Sequence, residues 1–334
     1  MNVVHTQRSA RYAGLCLALM LGCSEDTDPR LDAGPSDMAM VPDIASDAPV
    51  PDASGGRVDV RDAVFMERSG DCADHATASI ASVLDIQRDL AFEGTVDIAV
   101  DGDACLLTST AIPNHDFNDE SASFATPVGA LETTIAIPRS PSLAAESTAL
   151  TLTIYDGIML NGVVLDQLAA GCFGVGDGRS GCNDLDAPYR FDPMHPSAEF
   201  GTDIHNAHTQ PDGRYHYHGD PLAMYGDESD GPSGVIGFAA DGFPIYGPYF
   251  DDGTVVREAQ SGYTLRTGER DGGPGGPFDG TFVDDYEFTD AGDLDECNGM
   301  TVDGQYGYYL TRAYPWVVGC FRGTPDPSFR KGGR

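Results

Sequence analysis

The sequence predicts a mainly β fold: a disulfide-stapled, β-sandwich-like domain with long ordered loops, preceded by a signal peptide and a disordered linker. Three observations predict it. Short runs alternate apolar and polar residues, six cysteines remain once Cys16 and Cys23 near the N-terminus are set aside, and 41 glycines and 22 prolines punctuate what lies between. Alternation with period two sends one side of a strand inward and the other outward. Frequent Gly and Pro set reversals and keep the runs short.

Arg8 and Arg11 precede an apolar run from Tyr12 to Gly22 that is too short to span a bilayer. Residues 1–22 therefore read as a secretory signal. Met20-Leu21-Gly22-Cys23 fits a lipoprotein processing site with Cys23 as the acylated residue, ordinary cleavage nearby being the alternative. Residues 23–68 are rich in Asp, Pro, Ala and Ser and nearly free of aromatics. Such a stretch cannot bury enough apolar surface to offset its ordering entropy, so it is expected to be an acidic, disordered linker. It would lift the domain, residues 69–330, off a membrane to which the lipid on Cys23 ties it.

Within the domain, Ala73 to Asp89 is expected to form a short helix, with Val83, Leu84 and Ile86 partly on one face. Thr95 to Val100, Thr133 to Ile137 and Leu150 to Tyr155 alternate and read as strands. Proximity favours disulfides Cys72–Cys105, Cys172–Cys182 and Cys297–Cys320, which implies an oxidising compartment. No C-x-x-C spacing supports a thiolate metal site. Gly171 to Asp192 reads as an irregular loop clamped by Cys172–Cys182, and no Gly-Lys-Ser/Thr makes it a phosphate loop.

The net charge of −34 argues against nucleic acid and against direct docking on anionic lipid. No G-x-S-x-G marks a serine hydrolase, and among 53 acidic residues nothing singles out a glycosidase pair.

The chemistry concentrates in DIHNAHTQPDGRYHYHGDP, from Asp203 to Pro221, where four of the eight histidines fall. The turn Pro211-Asp212-Gly213 divides them into two pairs. If Tyr215 to His218 is a strand, His216 and His218 share one face and Tyr215 and Tyr217 the other. His205 and His208 would converge on the imidazole face across the turn. Four imidazoles suit a divalent transition metal, zinc or copper. Asp203, Asp220 and Asp241 are the candidates to orient them by accepting imidazole N–H bonds, an Asp-Gly turn being the plainer role for Asp241. Met194 and Met224 lie near in sequence as possible thioether ligands or core filler. Asp212 to His218 also echoes Asp303 to Tyr309, with Gly307 and Tyr309 in place of His216 and His218, which predicts two similar hairpins in one sheet.

GRYHYHGDP and SGVIGFAADGFPIYGPYFDDG, with GIMLNGVVLD upstream and DLDECNGM and YPWVVGCFRG downstream, resemble the YHYH-domain family of secreted bacterial proteins. The resemblance spans about Gly70 to the C-terminal end. It implies no activity, and the Thr110-Ala111 before Ile112-Pro113-Asn114-His115 departs from it, leaving the role of His115 open. Three functions remain: a metal-binding lipoprotein, a metal-dependent enzyme with an open coordination position, or a surface recognition module with dispersed histidines and an exposed aromatic patch.

Overall fold

The computed structural model describes residues 56–198 and 200–332. The expected signal peptide, Cys23 and the linker as far as residue 55 lie outside them. The described chain is mainly β, with only short 3-10 turns and no α-helix. No helix among these residues is long and apolar enough to cross a membrane.

A first sheet of five strands comprises Val58–Asp59, Thr77–Asp85, Leu90–Asp101, Ala104–Ser109 and Thr133–Pro138, in that order. Its last four strands are antiparallel, and the first joins the edge in parallel. Alternation works as expected here. Val96 and Ile98, Cys105 and Leu107, and Ile135 and Ile137 all point into the core, while their neighbours face outward.

Three expectations need correction. Ala73 to Asp89 is not a helix: Cys72–His75 is a 3-10 turn and Thr77–Asp85 a strand. Ala81, Val83 and Asp85 are buried at period two, and nine residues pair with Leu90–Asp101, so ladder bonding outweighs a weak helical pattern. Leu150 to Tyr155 alternates but finds no ladder, making only an isolated bridge from Ile154 to Arg330. The linker also ends earlier than Arg68. Val58–Asp59 pairs in the sheet, and Glu67 O accepts from Val235 N, contacts that composition alone does not reveal.

The second sheet has eight short strands, in the spatial order Gly299–Val302, Gln305–Tyr309, Pro244–Tyr246, Val235–Ala239, Gly157–Met159, Val164–Leu165, Tyr215–Tyr217, Ala207–Thr209. Read from its two ends, it repeats itself. Each end is a hairpin whose inner strand runs parallel to one arm of a second hairpin: Tyr215–Tyr217 beside Val164–Leu165, and Gln305–Tyr309 beside Pro244–Tyr246. Tyr217 lies opposite Leu165 as Tyr308 lies opposite Ile245. The central hairpins turn at Asn161-Gly162 and Asp241-Gly242, with both glycines at positive φ (83° and 86°). Both turns abut the first sheet, so a side chain at either glycine would strike Ser109 or Pro138. Ser109 Oγ donates to Gly162 O, and the His75 ring packs edge-on to Phe238 at 5.5 Å. The sheets thus share one apolar core, and the central strands of the second are buried on both faces.

The three disulfides pair as proximity predicts, which places the folded domain in an oxidising, extracytoplasmic compartment. Chain-entropy arguments rank them by loop length. Cys72→Ala/Cys105→Ala, which opens a separation of 33 residues, is expected to cost about 3–4 kcal/mol in urea unfolding. Cys172→Ala/Cys182→Ala, across 10 residues, should cost less, about 2–3 kcal/mol. The reverse order would show that loop closure does not govern their contribution.

Candidate metal centre

The edge hairpin Ala207–Tyr217 is set by one buried carboxylate. Asp203 Oδ1 accepts from the backbone N–H of His205 and Ala207, and its Oδ2 accepts from Tyr215 Oη at 2.8 Å and from Asn118 N. Asn206, at φ 55°, turns the chain, and its carbonyl accepts from His218 N. The far hairpin repeats the bonds of this brace that lie within the hairpin. Asp295 takes the N–H of Cys297 and Gly299 and the hydroxyl of Tyr306, while Asn298, at φ 68°, accepts from Tyr309 N.

The brace fixes the register: His216 lies opposite His208, as Gly307 lies opposite Met300. His218 follows two residues after His216 and faces the same way. The Nε2 atoms of His216 and His218 are 3.1 Å apart, and those of His218 and His208 3.0 Å. All three lie within 4.8 Å of one another. Each Nδ1 faces a backbone carbonyl: Phe200 O at 2.7 Å from His208, Gln167 O at 3.3 Å from His218, Arg214 O at 3.4 Å from His216. A carbonyl only accepts, so each Nδ1 carries the hydrogen and each Nε2 turns a lone pair inward. Burial holds all three imidazoles below the usual histidine pKa, and His216 and His218 well below it. Mutual repulsion adds to the effect at His216 and His218. Three converging lone pairs that resist protonation suit a cation. Tetrahedral zinc with bonds of about 2.0 Å would need nitrogens about 3.3 Å apart, close to the observed spacing.

His205, predicted as a fourth ligand, is not brought into this group. It precedes the strand, donates Nδ1–H to Pro221 O at 2.6 Å, and stacks on His115 at 3.6 Å between ring centroids. Nor does any of the three predicted carboxylates touch an imidazole ring. Asp203 braces the hairpin, and Asp220 accepts from Tyr225 and Arg312. Asp241 is a turn residue that accepts from Tyr308 Oη and Gly323 N, the counterpart of Asn161 at Tyr217. Backbone carbonyls, which sequence reasoning cannot place, take the orienting part instead. Met194 packs against Gly219, next to His218, whereas Met224 lines a cavity beside His115 and His205.

That cavity lies on the side to which Tyr217 points. Its hydroxyl donates to His115 Nε2 at 2.6 Å and accepts from Asn161 Nδ2 at 2.9 Å. His115 Nδ1–H goes to Asp116 O.

A family described as YHYH protein matches residues 134–323, more than half of the chain. The chain belongs to the YHYH family. The match holds the whole second sheet and both edge hairpins but starts at residue 134 rather than near Gly70, so most of the first sheet lies before it. No curated protein and no solved structure matches the chain.

His115 gives this YHYH domain a pH dependence. Burial, and secondarily the charge of His205, lower its pKa from 6.5 to about 3. The unfolded chain takes up a proton below 6.5 that the folded one refuses, so this contribution is complete above 6.5 and lost as pH falls towards 3. Between about pH 6.5 and 4, wild-type stability should fall more steeply than that of His115→Gln, by about 1.4 kcal/mol per pH unit. Parallel slopes in urea titrations would refute this.

Proposed function

We propose that this protein is an exported, lipid-anchored metal-binding protein that holds one divalent transition ion, zinc or copper, on His208, His216 and His218. The observation that carries the reading is the convergence of three Nε2 lone pairs whose Nδ1 hydrogens are all engaged by carbonyls. The repeated hairpin supports it. Met300, Gly307 and Tyr309 occupy the corresponding positions at the far end under the same brace, so the hairpin itself does not require imidazoles there. The lipid on Cys23 and the acidic tether complete the proposal. A second reading, a metal-dependent enzyme, rests on the count of three protein ligands, which leaves a position for water. Bound zinc in such a setting brings the pKa of its water to about 7.

The test uses tag-free protein, stripped with chelator, dialysed against zinc or copper(II) and subjected to elemental analysis. About one ion per chain is expected for wild type and for His205→Ala, and none for His216→Ala/His218→Ala. Wild type that retains neither metal ends the proposal.

A further inference from the structure

On the opposite side of the same hairpin lies an open cavity of about 530 Å3, a size that suits a small molecule. Val64, Ile86, Ile204 and Leu222 line it and remain 44%, 39%, 56% and 48% exposed. Of eleven Val, Leu and Ile side chains this exposed among the described residues, four gather here. Leu222 and Met224 also hold left-handed backbone, with φ of 49° and 73°. A branched residue in that region that also exposes its side chain is disfavoured twice by folding alone.

Beneath this rim lie His115 and His205. His115 is buried and uses both ring nitrogens, whereas His205 Nδ1 donates to Pro221 O and its Nε2 has no partner among the described residues. Asp62, Asp116 and Asp119 also line it, beside Ala223 and Tyr225. Arg61 pairs with Asp62 and Asp116, while Asp119 accepts from Ser121 and the Ile204 N–H. The surroundings are therefore net negative, with an aliphatic rim and a free imidazole nitrogen. The fold does not demand this arrangement. In the far hairpin the residue corresponding to His205 is Cys297, tied covalently to Cys320.

We propose that this cavity binds a small organic cation with an apolar body: an alkylamine whose chain lies against Leu222 and Ile204 and whose ammonium meets Asp119. The carboxylates favour an ammonium and oppose an anion of the same shape. The aliphatic rim selects for the chain.

Hexylamine and hexanoate, titrated at equal ionic strength into chelator-treated protein and followed by protein NMR shifts, test this. Hexylamine is expected to bind at least about tenfold more tightly than hexanoate. Leu222→Asn keeps a residue that tolerates left-handed backbone and leaves the net charge unchanged, and it should weaken hexylamine at least about fivefold. Asp119→Asn should do the same. His216→Ala/His218→Ala should bind hexylamine as wild type does, which separates this site from the metal proposal. Equal or tighter binding of hexanoate, no binding of either probe, or hexylamine affinity untouched by both Leu222→Asn and Asp119→Asn would overturn it.

Discussion

An aspartate at each end of the second sheet, buried at Asp203 and half-buried at Asp295, governs this molecule. Asp203 and Asp295 each gather two backbone N–H groups and a tyrosine hydroxyl, and each thereby sets the entry into an edge hairpin. Burial raises the pKa of Asp203, so its carboxylate is held in place by its donors rather than by water. The consequence is register. A slip of one residue would send every side chain of Tyr215–Tyr217 to the other face, taking His216 away from His208 and Tyr217 away from His115.

With the hairpin braced by atoms other than the imidazoles, the alternating positions are free to differ between the two ends. At the far end they hold Met300, Gly307 and Tyr309, and Gly307 leaves room for the Tyr246 ring. At the near end they hold three imidazoles. The tyrosines on the other face persist in both, Tyr217 against Asn161 and Tyr308 against Asp241. One strand therefore serves two environments: nitrogen ligands on one side, and on the other a hydroxyl bonded to His115 at the wall of an open cavity.

The first sheet contributes rigidity. Its inner face packs on the central turns of the second, where Gly162 and Gly242 admit no side chain. Its strand connection supplies His115, Asp116 and Asp119 to the cavity. Because the family match begins at residue 134, those three residues lie outside the matched segment, while His205 and the three converging histidines lie within it.

Much was legible from local pattern. Alternation found Thr95 to Val100 and Thr133 to Ile137, spacing found the disulfide partners, and the Asp-Gly echo found the second hairpin. Local pattern failed where a partner decides: Thr77–Asp85 became a strand because Leu90–Asp101 pairs with it, and Leu150 to Tyr155 did not because no ladder reaches it. The sequence by itself determined the β character and the placement of His216 and His218 on one face, since both follow from period-two geometry within a few residues. Only the tertiary structure decided that His208 joins them while His205 turns away to His115, that carbonyls rather than carboxylates orient the rings, and that residues 56–68 belong to the fold. The stacking of His205 on His115, the Gln167 carbonyl at His218 and the place of residues 56–68 depend on segments distant in the chain, and the rest on the register of the hairpin; short-range periodicity encodes neither.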